Sequence, residues 1–217
     1  MTQGWPRRTR LGDHTTWRPE WTSGRPLLWW YLTFGHLPRV AEHSTRAAAA
    51  LGPLEQVDVP PREWLHLTLC EVGFRDEVDE SQVKEGAWAV AEALQEAAPV
   101  ELRLGPVNSL YDAVVLEAHP MDGLRGLRAT VRGAMATAGL RKAQPGEAQF
   151  WPHVTIGYLN APADHRALMD SIGSTGLTTT SVTADRLELV EVTRADRHYR
   201  WRTRASLSLG RALVPRG

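Results

Sequence analysis

Apolar positions recur along the chain with two periods, and their alternation predicts an ordered series of elements. Residues 26–34, rich in leucine and aromatics, read as a buried strand. Pro38 opens a helix whose Val40, Ala47 and Leu51 share one stripe, and Gly52-Pro53 stops it. A short strand over 54–59 is punctuated by Pro60-Pro61, and an apolar run over 64–72 predicts the next strand. Val83, Ala87, Val90, Leu94 and Ala97 recur at helical spacing, which predicts a helix of roughly 18–20 residues within 76–98, ended by Pro99. Runs 100–104 and 113–118 read as strands joined around Gly105-Pro106. A second long helix begins at Asp122, carries Leu124, Leu127, Val131, Met135 and Ala138 as its stripe, and stops at Gly139. A polar loop over 141–149 leads into a strand over 151–159. A short helix near 163–172 follows, and two strands, 182–193 and 198–208, close the chain around a turn from Arg194 to Arg197.

One short pattern occurs in both halves. His66-Leu67-Thr68-Leu69 and His153-Val154-Thr155-Ile156 repeat the frame histidine, apolar, threonine, apolar, each inside a predicted strand. A strand points residues i and i+2 to the same face, so each frame projects an imidazole and a hydroxyl together. Regular alternation would turn Leu65, Leu67 and Leu69 toward the helices and His66, Thr68 and Cys70 toward a cleft. In the second strand it groups His153, Thr155 and Gly157 on the cleft face, and Val154, Ile156 and Tyr158 on the other. Two imidazoles and two hydroxyls around one pocket suit acid–base work on a phosphate ester: one ring takes a proton, the other gives one, and the hydroxyls hold phosphoryl oxygens. The pattern does not assign which ring is acid and which is base. A metal site is the competing reading of paired histidines, but no third His, Cys or acidic residue joins either frame at a ligand spacing, so no metal and no cofactor are expected.

Composition narrows the partners. The 217 residues suffice for one substantial domain or one domain of two similar lobes, and the 42% hydrophobic and 23% charged fractions are those of an ordinary globular chain. Formal net charge is zero, which argues against extended nucleic-acid binding while leaving room for a small nucleotide or an RNA-end phosphodiester. No apolar run is long enough to span a membrane. Cys70 is the only cysteine, so intramolecular disulfides are impossible and a cytoplasmic location is expected. Residues 1–24, with Trp5, Trp17 and Trp21 among arginines, glycines and prolines, read as an arm or cap. Its Arg18, with the adjoining Arg25, is a candidate for a phosphate contact, and its His14 reads as a surface histidine. Residues 25–209 read as one bilobal domain and 213–217 as a tag remnant.

Around the two frames the chain resembles a known group. Val59-Pro60-Pro61-Arg62-Glu63-Trp64-Leu65-His66-Leu67-Thr68-Leu69 and Phe150-Trp151-Pro152-His153-Val154-Thr155-Ile156 are similar to the two motifs of the 2H phosphoesterase superfamily. The closer likeness is to its bacterial 2′-5′ RNA ligase and RNA 2′,3′-cyclic phosphodiesterase-like branch. Residues 17–34 with Gly157-Tyr158-Leu159-Asn160 look like an actinobacterial subgroup. The resemblance implies an α+β fold with pseudo-twofold lobes, two antiparallel sheets lining a central cleft, and helices outside. It implies His66 and His153 as the catalytic pair, Thr68 and Thr155 as phosphate ligands, and metal-free chemistry on a phosphodiester, with ligation as the reverse reaction. Tyr158, Asn160, Trp30 and Trp151 are further pocket candidates. That branch often carries an arginine five residues after the second histidine; here the position is Tyr158, which donates a hydrogen bond but supplies no charge. Glu71 departs from the usual apolar or basic residue in the first motif. A phospho-ligand binding module without turnover, and an accessory enzyme acting on a small phosphorylated metabolite, are the alternatives. The molecule is expected to be a monomer.

Overall fold

Strand-forming runs assemble into two antiparallel sheets, and the striped helices cover their outer faces. A computed structural model of the chain describes residues 5–6, 9–16, 18–22, 24–140, 150–173, 176–195 and 197–210. Trp17, the loop over 141–149 and the tag-like 213–217 lie outside them. The order is β1 (Arg10–Leu11), β2 (Leu27–Thr33), α1 (Pro38–Leu51), β3 (Val57–Asp58), β4 (His66–Phe74), α2 (Glu80–Ala93), β5 (Val100–Leu110), β6 (Ala113–His119), α3 (Met121–Thr137), β7 (His153–Leu159), β8 (Ala163–Asp164), α4 (His165–Gly173), β9 (Thr180–Ala184), β10 (Arg186–Ala195) and β11 (His198–Ser208).

One sheet runs β11-β10-β2-β4 and the other β3-β7-β6-β5-β9, all antiparallel; β1 and β8 form a separate ribbon. The lobes exchange helices. α1 follows β2 of the first sheet but packs on β7 and β9 of the second, while α3 follows β6 of the second and packs on β4 of the first beside α2. Two apolar clusters result. The larger fills the space between sheets and helices, with Leu32, Leu67, Leu69, Val90, Val131, Val154 and Ile156 fully or almost fully buried. The smaller lies on the inner side of the sheets and is largely aromatic, with Trp21, Tyr31, Phe74, Trp151, Tyr158 and Tyr199.

Three elements differ from the sequence reading. The helix expected within 76–98 is the shorter α2, because Asp76 and Glu77 are held in the preceding turn by the Arg25 guanidinium. Gly105-Pro106 does not join two strands; β5 runs through it to Leu110 with a register shift between Leu104 and Val107. Gly105 sits there at φ +117°, with Thr179 where a Cβ would be, which explains why glycine occupies the irregularity. The strand expected at 182–193 is two strands split at Asp185, β9 in one sheet and β10 in the other.

Candidate active site

Both motif strands carry an extra residue just after the threonine, and this sets which side chains reach the cleft. In β4, Tyr31 faces Thr68 while its neighbour Trp30 faces Cys70, so Leu69 is the inserted residue. In β7, Val115 faces Thr155 while Val114 faces Gly157, so Ile156 is inserted. A one-residue insertion inverts the parity of everything beyond it. Cys70 therefore turns toward the helices with Trp30, which is 0% exposed, and Glu71 comes round to the cleft face opposite Trp29. A second irregularity past Glu71 brings Phe74 to the same face as Leu27. In β7 it is Gly157 that turns outward, and Tyr158 that joins His153 and Thr155 opposite Ala113. A Cβ on Gly157 would stand 2.5 Å from Val57 and 3.2 Å from Leu51, so glycine is required by close packing. Regular alternation is thus corrected at three residues, Cys70 and Gly157 leaving the cleft and Tyr158, also named as a pocket candidate, entering it, while the pocket candidate Trp30 is helix-side core. Burial pushes the Cys70 thiol up to about 12, so it stays protonated and inert.

Arg128 of α3 supports the first bulge. Its Nε donates to the Leu69 carbonyl at 2.8 Å, and its guanidinium lies 4.8 Å from the centre of the Phe150 ring, three residues before His153. One side chain therefore touches the first frame and the segment leading into the second.

The two imidazoles are anchored identically. His66 Nδ1 lies 2.8 Å from the Trp64 carbonyl, and His153 Nδ1 lies 2.6 Å from the Trp151 carbonyl. A carbonyl only accepts, so Nδ1 carries the proton in both rings and each neutral ring keeps Nε2 as its lone-pair nitrogen. Burial lowers the pKa of His66 to about 4, opposed by the Trp64 hydrogen bond and reinforced by the charge of His153. That influence places His153 within electrostatic reach of His66. His153 is lowered as well, chiefly by burial, but the Trp151 hydrogen bond and the Asp112 carboxylate push the other way.

Aromatic side chains line the rest. The Tyr31 ring stacks on His66 at 3.9 Å and 14°, and Trp201 meets His66 edge-on at 5.3 Å. Trp201 also meets Trp64 at 4.7 Å. Trp64 and Trp201 are half-buried at the His66 end of the site, and the half-buried Trp29 lies farther along, 6.2 Å from Tyr31. Burial raises the phenols of Tyr31 and Tyr158 well above the ordinary range, and the neighbouring hydroxyls of Thr68 and Thr155 oppose the shift. Of the other candidates, Trp151 is buried beside the cleft, edge-on to Trp5, and contributes its carbonyl. Asn160 is a bracket between strands: its amide donates to the Glu55 carbonyl and to Asp58, both at 3.0 Å.

The arm packs onto the domain. Arg18 grips Glu71 through two hydrogen bonds of 2.6 and 3.0 Å, and Arg25 engages Asp76 and Glu77. Both arginines expected to touch phosphate are thus committed to carboxylates. Trp21 stacks on Tyr199 and is 3% exposed. The turn arginines are engaged too: Arg194 donates to the His14 and Thr15 carbonyls, and Arg197 pairs with Asp58. The sequence reading missed Asp112, Trp64 and Trp201 as neighbours of the site. Only the position of Trp64, two residues before His66, carried a signal.

Two sheets with exchanged helices, each offering a histidine–threonine frame to a shared cleft, define a two-histidine phosphoesterase scaffold. A family model described as the 2′-5′ RNA ligase superfamily matches residues 36–196, and the chain belongs to that family. Its members act on phosphate esters, which makes the chain an enzyme of that broad class. The solved structure of TT0787 from Thermus thermophilus is similar at a TM-score of 0.66 and 16% identity, covering 84% of this chain and 97% of that one. E. coli LigT complexed with NADP+ is similar at 0.63 and 17%, covering 86% and 99%. The MHV ns2 PDE domain is similar at 0.56 and 13%, covering 77% and 99%. At these identities the likeness is one of fold. No curated protein matches the chain. No helix among the described residues is long and apolar enough to cross a membrane.

Proposed function

We propose that the protein is a metal-independent phosphodiesterase that opens a 2′,3′-cyclic phosphate, or a similarly small phosphodiester, on a nucleotide or RNA end. The observation that carries this reading is the identical anchoring of His66 and His153, which leaves one Nε2 from each ring for the reacting oxygens. Thr68 and Thr155 are the phosphoryl ligands, and their hydroxyls strengthen their hold as charge builds on the non-bridging oxygens. The surroundings of the rings divide the roles. His66, pushed down to about 4 and stacked under Tyr31, is the base that takes the proton of the attacking water. His153, with the Asp112 carboxylate favouring its charged form, is the acid that protonates the leaving alkoxide. The incoming phosphate anion favours protonation of one ring, which supplies the proton that catalysis requires. The half-buried tryptophans beside His66 suit a stacked base, which favours a nucleotide over a bare sugar phosphate.

The test is incubation with nucleoside 2′,3′-cyclic phosphates, following ring-opened product by chromatography. Turnover in EDTA, lost in both His66→Ala and His153→Ala, is the expected result. Chelator-sensitive turnover, or full activity in either variant, overturns the reading. The neutral rings and the absence of an arginine at position 158 favour one rival, a phospho-ligand binder, which the same assay reveals as saturable binding without product.

A further inference from the structure

His14 was expected at the surface, yet its side chain is only 12% exposed, because the arm that carries it is laid against both sheets. Main-chain bonds fasten the arm on the side of the second sheet. β1 pairs with β8, Gly12 N–H donates to the Tyr111 carbonyl at 2.9 Å, and His14 N–H donates to the Leu159 carbonyl at 2.8 Å. The His14 ring rests on Tyr158 with centroids 4.4 Å apart, and its Nδ1 stands 2.8 Å from Asp112. From the first sheet, Tyr199 meets the same ring edge-on at 5.2 Å, and Arg194 donates to the His14 and Thr15 carbonyls at 3.1 and 3.0 Å. Four residues on, Arg18 grips Glu71 at 2.6 and 3.0 Å, and Trp21 then stacks on Tyr199 at 5.1 Å and 14°. Tyr158 and Glu71 are the fifth residues after His153 and His66, and the bulges turn both to the cleft. The arm thus touches one motif strand at His14 and the other at Arg18, four chain steps that reach at most about 14 Å. It meets both strands at the same depth, roughly 13–17 Å along them from the histidines that begin them. Residues 14–21 all precede the 36–196 stretch that matches the family.

We propose that the arm is a crossbar that shuts the cleft behind the catalytic rings, and that the substrate class is therefore the free cyclic mononucleotide rather than the cyclic-phosphate end of an RNA chain. A single nucleotide fills the space between the crossbar and the start of the motif strands, entering past Trp64 and Trp201. An RNA end must also lead its remaining phosphates away. The crossbar blocks the course along the cleft, and the arginines around it are engaged. Glu71 holds Arg18, Asp76 and Glu77 hold Arg25, the arm carbonyls hold Arg194, and Asp58 holds Arg197. Engaged guanidinium groups offer little to backbone phosphates, whose neutralisation supplies much of the affinity for a polynucleotide. The formal net charge of zero agrees with that. The proposal rests on the cleft between His66 and His153 as the substrate site but not on turnover.

The experiment is calorimetric binding of two probes to the full chain at pH 7: adenosine 3′-monophosphate, and a hexaribonucleotide ending in the same 3′-phosphate. Thermal melts confirm folding. Wild type is expected to bind the mononucleotide about tenfold or more tightly than the hexamer. Arg18→Met combined with Glu71→Gln removes the ion pair without stranding a charge, and is expected to narrow that ratio about fivefold by releasing the crossbar. Arg194→Gln loosens the middle of the crossbar from the first sheet. It secures the test if the paired variant fails to fold, and it is expected to narrow the ratio about threefold. Equal affinity for the two probes in wild type, a ratio unchanged in the folded variants, or a wild type that binds neither probe would overturn the proposal. The expected selectivity without opening of a nucleoside 2′,3′-cyclic phosphate would sustain the crossbar and remove the phosphodiesterase reading. Ring opening with equal affinity for the hexamer would do the reverse.

Discussion

Removing the proton-binding nitrogen of His66 should make the empty protein more resistant to acid. Burial holds the ring at about 4, against 6.5 for an unhindered histidine. The folded state therefore releases a proton that the unfolded chain binds throughout that interval. More protons on the unfolded side means that stability rises with pH there, and equally that it falls as pH drops from about 6.5 to about 4. At 1.36 kcal/mol per unit, the interval is worth about 3 kcal/mol. The comparison is urea unfolding of wild type and His66→Gln between pH 4 and pH 7.5, where glutamine keeps a donor for the Trp64 carbonyl. Other titrating groups are common to both proteins and largely cancel in the difference. The variant's curve should be flatter by about 3 kcal/mol over the window. Phosphate added at pH 5 should recover stability in wild type more than in the variant, because the anion favours the protonated ring. Parallel curves, with the gap unchanged from pH 7.5 to pH 4, would refute the burial argument and with it the assignment of His66 as the neutral base.

Three further outcomes follow from contacts in the two motif strands. Gly157→Val should cost about 1–3 kcal/mol in chemical denaturation, since the new side chain meets Val57 and Leu51 at the α1 face, and it should lower kcat by tilting β7. Arg18→Ala strands the Glu71 carboxylate, whose side chain is 8% exposed, and should destabilise by roughly 3 kcal/mol, with faster proteolysis of the arm as a second readout. Trp201→Ala should raise KM for a cyclic nucleotide about 5–30-fold and leave kcat nearly unchanged, because the ring stands beside the site as a stacking surface.

Periodicity revealed most of the fold and little of the site's outline. The stripes of α1 and α3 and the strand runs around His66 and His153 stood out because burial repeats at a fixed interval in both kinds of element. What escaped was set by events that leave no periodic trace. The bulges at Leu69 and Ile156 look in sequence like ordinary apolar positions, yet each reverses the faces of the residues that follow. That is why regular alternation puts Cys70 and Gly157 on the cleft side and Tyr158 in the core. The split at Asp185 was hidden for a related reason: β9 and β10 are continuous in strand propensity and differ only in which sheet they join. Tertiary partners were equally invisible, since Asp112 and His14 come together only through pairing of the arm with the loop after β5.

The two halves of the site share a frame but not its environment, and the proposed reaction depends on that difference. The same carbonyl anchor two residues before each histidine fixes the same tautomer, and the same inserted residue brings the fifth position after each histidine to the cleft. A site with true twofold symmetry would give both rings equal proton affinity and no reason for one to be acid and the other base. The fifth positions break the tie. Glu71 is neutralised by Arg18 at hydrogen-bond distance, so it lends little charge to His66. Tyr158 carries no charge, but it sits with His14 and Asp112, and it is the Asp112 carboxylate that acts on His153. Arg18, which neutralises Glu71, comes from the arm ahead of the family-matched segment, while Asp112 lies within it. Exchanging the two neighbourhoods, with a free carboxylate near His66 and none near His153, should therefore reverse which ring holds the proton. An NMR titration of the two imidazoles in Asp112→Asn tests the first half of that statement: His153 should titrate at lower pH than in wild type while His66 hardly moves, and an unmoved His153 would show that its surroundings do not set its role.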